Sequence, residues 1–178
     1  MIVKLNLSSM ATTYYLARAI KSFPRKSVQS YNSFQLALAQ NSIDQKVVAS
    51  QLVVAVNRSD YLASISPDQR EIFLSLAESE VKKQVSREPP DPQMFYLAGI
   101  VVNLRGQTEE AIRLLEQANK LSPKNQHFLL KLAEFYISGR NYEQALDISH
   151  EAFVLNPKFN PIRLAYASAA IYQGNNRL

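Results

Sequence analysis

The feature that most constrains this chain is a period. Ala111 and Ala145, Ala118 and Ala152, and Pro123 and Pro157 are pairs of like residues, each pair 34 positions apart. That period belongs to an array of helical hairpins, in which each repeat is one unit and neighbouring units bury a continuous core. Phe95, Ala98, Gly99 and Val102 open the first copy, and Leu129, Leu132, Ala133 and Tyr136 hold the same places in the second. The spacing has a steric reason. The first helix of a hairpin needs a small residue, Gly99 or Ala133, where the second helix crosses it closely, and the second helix needs alanines where it meets its neighbours. Gly106 and Gly139 fall between the helices of their copies, where a chain leaving a helix often needs the positive φ that glycine adopts at low cost. Pro123 and Pro157 stop the second helix.

The pattern of a large residue, small residues, a spaced alanine and a closing proline resembles the tetratricopeptide repeat. The resemblance implies an all-α fold, a right-handed α-solenoid of antiparallel helix pairs with about 7 helices in a chain of this length. Two places depart from the family. Ala98 and Val102 stand where Leu and Tyr are usual, and Ser149 stands where an aromatic is common, so looser packing is expected in the second copy.

Reading outward from the repeat divides the chain. Residues 91–157 hold the two regular units. Residues 158–178 supply the first helix of a further, truncated repeat, with Leu164, Ala167, Ala170 and Ile171 in pattern and Gly174 two periods after Gly106. The second helix that would cover it is expected beyond Leu178. Residues 44–90 read as a stretched, degenerate repeat, because Ala77 and Pro89 lie 34 positions before Ala111 and Pro123. Within it, residues 45–57 are apolar almost all round and β-branched, which is compatible with a strand, although length and helical neighbours favour a buried helix. Ser66-Pro67-Asp68-Gln69 predicts an N-cap and a helix to about residue 85, with Ile72, Phe73, Leu76, Ala77 and Val81 inward and Glu78, Glu80, Lys82 and Lys83 in water. The Pro-rich stretch from Arg87 to Pro92 reads as a rigid joint, and Asp91 with Pro92 as the next N-cap and first turn. Residues 1–43 read as a basic helical pair and a degenerate unit, with helices over 11–22 and 25–40, in which Ser30, Phe34 and Ala37 repeat the spacing of Ala111, Leu115 and Ala118. An unrelated hairpin is the alternative there.

Charge matters because of where it sits. Of a net +5, the whole excess lies in residues 1–43, where Lys4, Arg18, Lys21, Arg25 and Lys26 meet no Asp or Glu. Such a segment suits an anionic membrane surface, or is simply a solvated helix face. Nucleic acid is disfavoured, since aromatic and basic residues do not interleave as in a stacking platform. No run reaches the roughly 18 apolar residues of a membrane span.

Catalytic chemistry is not expected in this segment. All four glycines are accounted for by packing and turns, which leaves no phosphate loop, and there is no cysteine. His127 and His150 have no partners at metal-ligand spacing. The expectation is therefore no cofactor, no metal and no catalytic residue. What a solenoid offers is a concave surface lined by its first helices. In the tetratricopeptide register this groove shows Gln93, Tyr96, Ile100 and Asn103, then His127, Leu130, Glu134 and Ile137, then Leu164, Ser168 and Ile171. The family branch that grips chaperone carboxylates uses a Lys and Asn clamp, and only Asn103 resembles a member of it. A peptide or helix held by aliphatic and aromatic anchors fits better, unless the groove holds the rest of its own chain. The face of residues 161–174 could also pair with a second copy.

The order of segments carries one more resemblance. TYYLARAI, FQLALAQNS, QKVVASQLVVAV and a capped helix leading into YLAGIVVNLRGQTEEAIRLLEQANKLSPKNQ resemble the soluble C-terminal tail of bacterial O-antigen ligase and polymerase-like membrane proteins. This resemblance implies a non-catalytic docking tail on the cytoplasmic face of the inner membrane, with the periplasm left open, and a glycosyltransferase core upstream. A free-standing adaptor or co-chaperone in secretion, pilus or complex assembly is the alternative.

Overall fold

The structure, a computed structural model, describes residues 2–23, 27–40, 45–58 and 64–175. Among these residues there are nine helices and no strand: α1 (Ile2–Ser22), α2 (Ser27–Ala39), α3 (Gln45–Val56), α4 (Pro67–Val85), α5 (Pro92–Leu104), α6 (Thr108–Leu121), α7 (Gln126–Ser138), α8 (Tyr142–Leu155) and α9 (Asn160–Asn175). The count exceeds the expected figure of about seven. The chain divides into two compact units, residues 1–86 and 87–178, at the start of the Pro-rich stretch.

In the first unit α1 packs along α2, α2 meets α3, and α3 packs on α4. Residues 45–56 are helical, so the β-branched run is a buried helix, with Val48, Leu52, Val53 and Val56 almost fully shielded. Helix α1 is longer than the predicted span of 11–22, because nothing in residues 2–10 breaks a helix and Ser8 gives that part a place to dock. Its hydroxyl donates to the Gln40 carbonyl at 2.6 Å, satisfying an acceptor just past the end of α2. Ser30, in the slot equivalent to Ala111, donates to the Ala19 carbonyl at 3.0 Å where the two helices cross. The centre of this unit is aromatic. Phe34 is fully buried, and Phe23 meets both Phe34 and Phe73 edge-on at 6.3 and 5.6 Å between centroids.

Helix α4 starts as predicted, with the Ser66 hydroxyl accepting from the Gln69 N–H and Pro67 in the first turn. Phe73, Ala77 and Val81 of the expected stripe are buried and Leu76 is half-buried, but two residues differ. Ile72 is 48% exposed, whereas Glu80 is buried at 6% and holds the Lys83 ammonium at 2.5 Å. Leu74 joins the buried apolar side that Ile72 leaves. One buried carboxylate is tolerated because a lysine one turn on supplies its counter-charge.

In the second unit each helix packs on the next, α5 on α6 through to α8 on α9, and α7 also touches α9. The Asp91 carboxylate caps α5 through the Gln93 N–H at 2.8 Å, and Pro92 follows it. Ala111, Ala118, Ala145 and Ala152 are all fully buried, as a crossing that admits only a methyl group requires. One core cluster joins Val102, Ala111, Ile112, Leu115, Leu132 and Phe135; another joins Leu129, Ala152 and Ile162.

The helix ends repeat as faithfully as the alanines. After α5 the Gln107 N–H reaches the Val102 carbonyl at 3.2 Å, and after α7 the Asn141 N–H reaches the Tyr136 carbonyl at 2.8 Å, the same positions one period on. This closure needs a left-handed residue between cap and next helix. Gly106 takes it at φ 79° in the first copy, but in the second it is Arg140, at φ 60°, while Gly139 stands at φ −82°. The predicted role of Gly139 is therefore one position out: 34 residues after Gly106 comes Arg140. Gly174, two periods on, lies inside α9 and has no positive φ. A side chain at the left-handed position costs about 1 kcal/mol, so Arg140→Gly is expected to raise the stability by about that amount. Denaturant unfolding of the two chains checks it, and an unchanged or lower midpoint would count against the left-handed assignment.

Candidate protein-binding groove

The surface in question is built from α5, α7 and α9, the first helices of successive hairpins. On α5, Gln93 is exposed and Tyr96 is half-buried, its ring stacked on Phe128 at 5.0 Å between centroids. Burial pushes the Tyr96 hydroxyl above its ordinary pKa. Asn103 accepts from the Thr108 hydroxyl at 3.2 Å, a bond that ties the end of α5 to the start of α6. Ile100 does not belong with them. At 6% exposure it is a core residue, because α5 is apolar nearly all round and buries Met94, Leu97, Ala98, Ile100, Val101 and Val102 together.

On α7, His127 is exposed, with the Phe159 ring edge-on at 6.4 Å, and Leu130 packs against the second core cluster. Glu134 pairs with Lys131. Between α7 and α9 lies an open recess of about 470 Å³. Glu134 and Ile137 enter it from α7, and Leu164 and Ser168 from α9. Ile171, on the same helix, stands 62% exposed. The recess also takes Tyr172, which follows Ser168 by one helical turn, a spacing that could have found it, and Pro161, one turn before Ala165. Tyr172 is steadied from outside the recess by Tyr142 of α8, stacked at 5.4 Å. The structure thus brings together four of the eleven predicted groove residues around one recess and leaves Gln93, Tyr96 and Asn103 on a different stretch.

Of the predicted basic residues, Arg18 and Lys21 are exposed on α1. Lys4 lies on the same helix, with its side chain outside the described residues, as are Arg25 and Lys26 entirely. No described helix is long and apolar enough to cross a membrane.

Tyr136 ties the hairpins together. Its hydroxyl donates to the Glu116 carboxylate at 2.6 Å, across 20 residues, and burial with this bond pushes its pKa well above the ordinary value. An unfolded tyrosine loses its proton near pH 10 while the folded one keeps it, so the unfolded state binds fewer protons and stability falls as the pH rises past that point. Tyr136→Phe is expected to flatten this alkaline fall, as measured by unfolding midpoints between neutral and strongly alkaline pH. An unchanged slope would mean that the Tyr136 proton is not linked to folding.

Comparison with known proteins adds the family of one stretch. Residues 104–152, from the end of α5 to the last turn of α8, match the family model of the tetratricopeptide repeat. The matched stretch is similar to the tetratricopeptide repeat. Among curated proteins, none matches this chain in sequence. Solved structures do match in fold. A tetratricopeptide repeat protein from Parabacteroides merdae has a TM-score of 0.69 at 16% identity, over 93% of this chain and 61% of its own. A thermophilic tetratricopeptide repeat protein of Thermus thermophilus has a TM-score of 0.56 at 20% identity, over 90% of this chain and 100% of its own. The APC/C hetero-tetramer Cut9-Hcn1 gives 0.60 at 19% identity, over 89% of this chain and 30% of that one. At such identities the likeness carries the fold alone. The chain spans less than two thirds of the Parabacteroides protein, the first of these relatives. In tetratricopeptide repeat terms, α5 and α7 are first helices, α6 and α8 second helices, and the recess lies on the side of the first helices.

Proposed function

We propose that this chain is a non-catalytic protein-interaction scaffold whose recess between α7 and α9 receives a peptide or helix through aliphatic and aromatic anchors. One observation carries the reading: large apolar side chains stand open around a concavity, with Leu164 69% and Tyr172 46% exposed beside Ile137. Apolar side chains gathered at a recess are what a helix-in-groove or extended-peptide mode uses. The recess lining contains Glu134 and no lysine or arginine, which disfavours a free carboxylate as the ligand's anchor. One of the fold relatives, Cut9-Hcn1, is a hetero-tetramer by its description, which is in keeping with a partner-binding role.

Selection of peptides from a random library against the full chain tests this. Ligands with apolar anchors are expected, and Leu164→Asp or Ile137→Asp should weaken them by about tenfold or more, close to 1.4 kcal/mol each, with thermal unfolding of Leu164→Asp unchanged. Ligands indifferent to both substitutions would place binding elsewhere. A second copy seated on α9 is the competing occupant, and light scattering that shows a concentration-dependent dimer abolished by Leu164→Asp would select it.

A finer reading, the soluble tail of an O-antigen ligase-like glycopolymer protein, draws on the order of segments and on the basic first quarter of the chain. It places the scaffold beside a membrane. Sequencing the gene upstream of the Met1 codon tests it: several stretches of membrane-spanning length support the tail, and their absence leaves an adaptor of complex assembly.

A further inference from the structure

We infer that α1 docks this chain on an anionic lipid surface, a role separate from the recess between α7 and α9. The observation is an exposed apolar stripe on α1. The face of α1 that packs inward carries Thr12 and Ala19, 1% and 0% exposed, with Ser8, Tyr15 and Leu16 half-buried beside them. At about 100° per residue, Leu7, Met10 and Tyr14 fall on the opposite side, and they are 60%, 68% and 61% exposed. A set of large apolar side chains on this helix is thus left in solvent. Their 3-and-4 spacing makes one continuous stripe, which runs on through Ala17 to Lys21, with Arg18 at its margin; all three are exposed.

Two features choose the occupant. Side chains this exposed stand clear of the surface and are not walled by neighbours, so a peptide would find no groove to enter, whereas a lipid surface needs only protruding apolar groups. The charge is of one sign: residues 1–43 contain five basic and no acidic residues. Two copies facing each other through α1 would oppose like charges, while an anionic surface attracts them. Arg18 also borders an open recess of about 630 Å³ with Gln29, Asn32 and Leu36 of α2, where a headgroup can be received. Tyr14 suits the interfacial layer, with an apolar ring and a polar tip.

The test is flotation of the full chain with vesicles of phosphatidylcholine alone or containing phosphatidylglycerol, in low and high salt. Binding to the anionic vesicles is expected, weakened by salt and absent on neutral ones. Met10→Asp with Tyr14→Asp, and separately Arg18→Glu with Lys21→Glu, should each weaken it by more than about tenfold. All four residues are exposed, so thermal unfolding should be unchanged. No binding in low salt, equal binding to neutral vesicles, or binding that survives either pair overturns the proposal. So does a concentration-dependent dimer that the α1 substitutions abolish while vesicles stay unbound, which assigns the stripe to a second copy. Loss of peptide binding at α9 would leave all of these outcomes readable.

Discussion

Gly99→Val is expected to destabilise the chain by about 3 kcal/mol, read as a shift in the urea midpoint with an unchanged slope. The reason is contact. A Cβ built on Gly99 would lie 2.1 Å from Cδ1 of Leu115 and 3.1 Å from the Ala111 carbonyl oxygen, both on α6. Leu115 cannot swing aside into solvent, because it is fully buried. The gain in helix propensity on replacing glycine is below about 1 kcal/mol and cannot offset this. Leu115→Ala alone should cost about 2–5 kcal/mol through the cavity it leaves. Combined, the two substitutions exchange bulk across one crossing, and the double variant should be at least about 2 kcal/mol more stable than the sum of the singles predicts. Strict additivity would sink the idea that the two share one volume.

The second copy supplies the same exchange naturally. One period after Gly99 and Leu115 come Ala133 and Ser149, a larger residue facing a smaller one, and both are buried, at 0% and 1%. The Ser149 hydroxyl turns back to the Leu146 carbonyl at 3.1 Å, which satisfies it without a partner from another helix. Departure from the family pattern at Ser149 is thus matched on the facing helix by the methyl of Ala133.

Phe34→Ala carries the second large effect, about 3–5 kcal/mol. Phe34 fills on α2 the slot that Leu115 fills on α6, fully buried and against the edge of Phe23. Phe34→Leu should cost much less, within about 1.5 kcal/mol, since leucine already occupies the equivalent place. Thermal or denaturant unfolding of both variants separates them. An alanine variant losing under about 1 kcal/mol would mean that residues 27–39 do not pack as a second helix of this type.

The alanines, the hairpin spacing and the caps at Ser66 and Asp91 were legible in order of residues alone, because each expresses a local or periodic constraint. A methyl group at a close crossing recurs wherever the crossing recurs, and an N-cap acts within one turn. The left-handed position is nearly legible: counting the period from Gly106 leads to Arg140, but glycine is the usual occupant of such a position and Gly139 stands beside it. What required the folded chain was the facing of surfaces. Whether Ile100 is a core residue or a binding residue depends on what covers it, and the same holds for buried Glu80 and exposed Ile72 on α4. Tyr172 joins Ile137 in one recess only because α7 and α9, separated by the whole of α8, pack side by side. On α1, helical periodicity places Leu7, Met10 and Tyr14 on one side and Tyr15, Leu16 and Ala19 on the other, and nothing in that grouping says which side packs. Periodicity sorts residues into faces; only neighbours from other helices determine which face is removed from water.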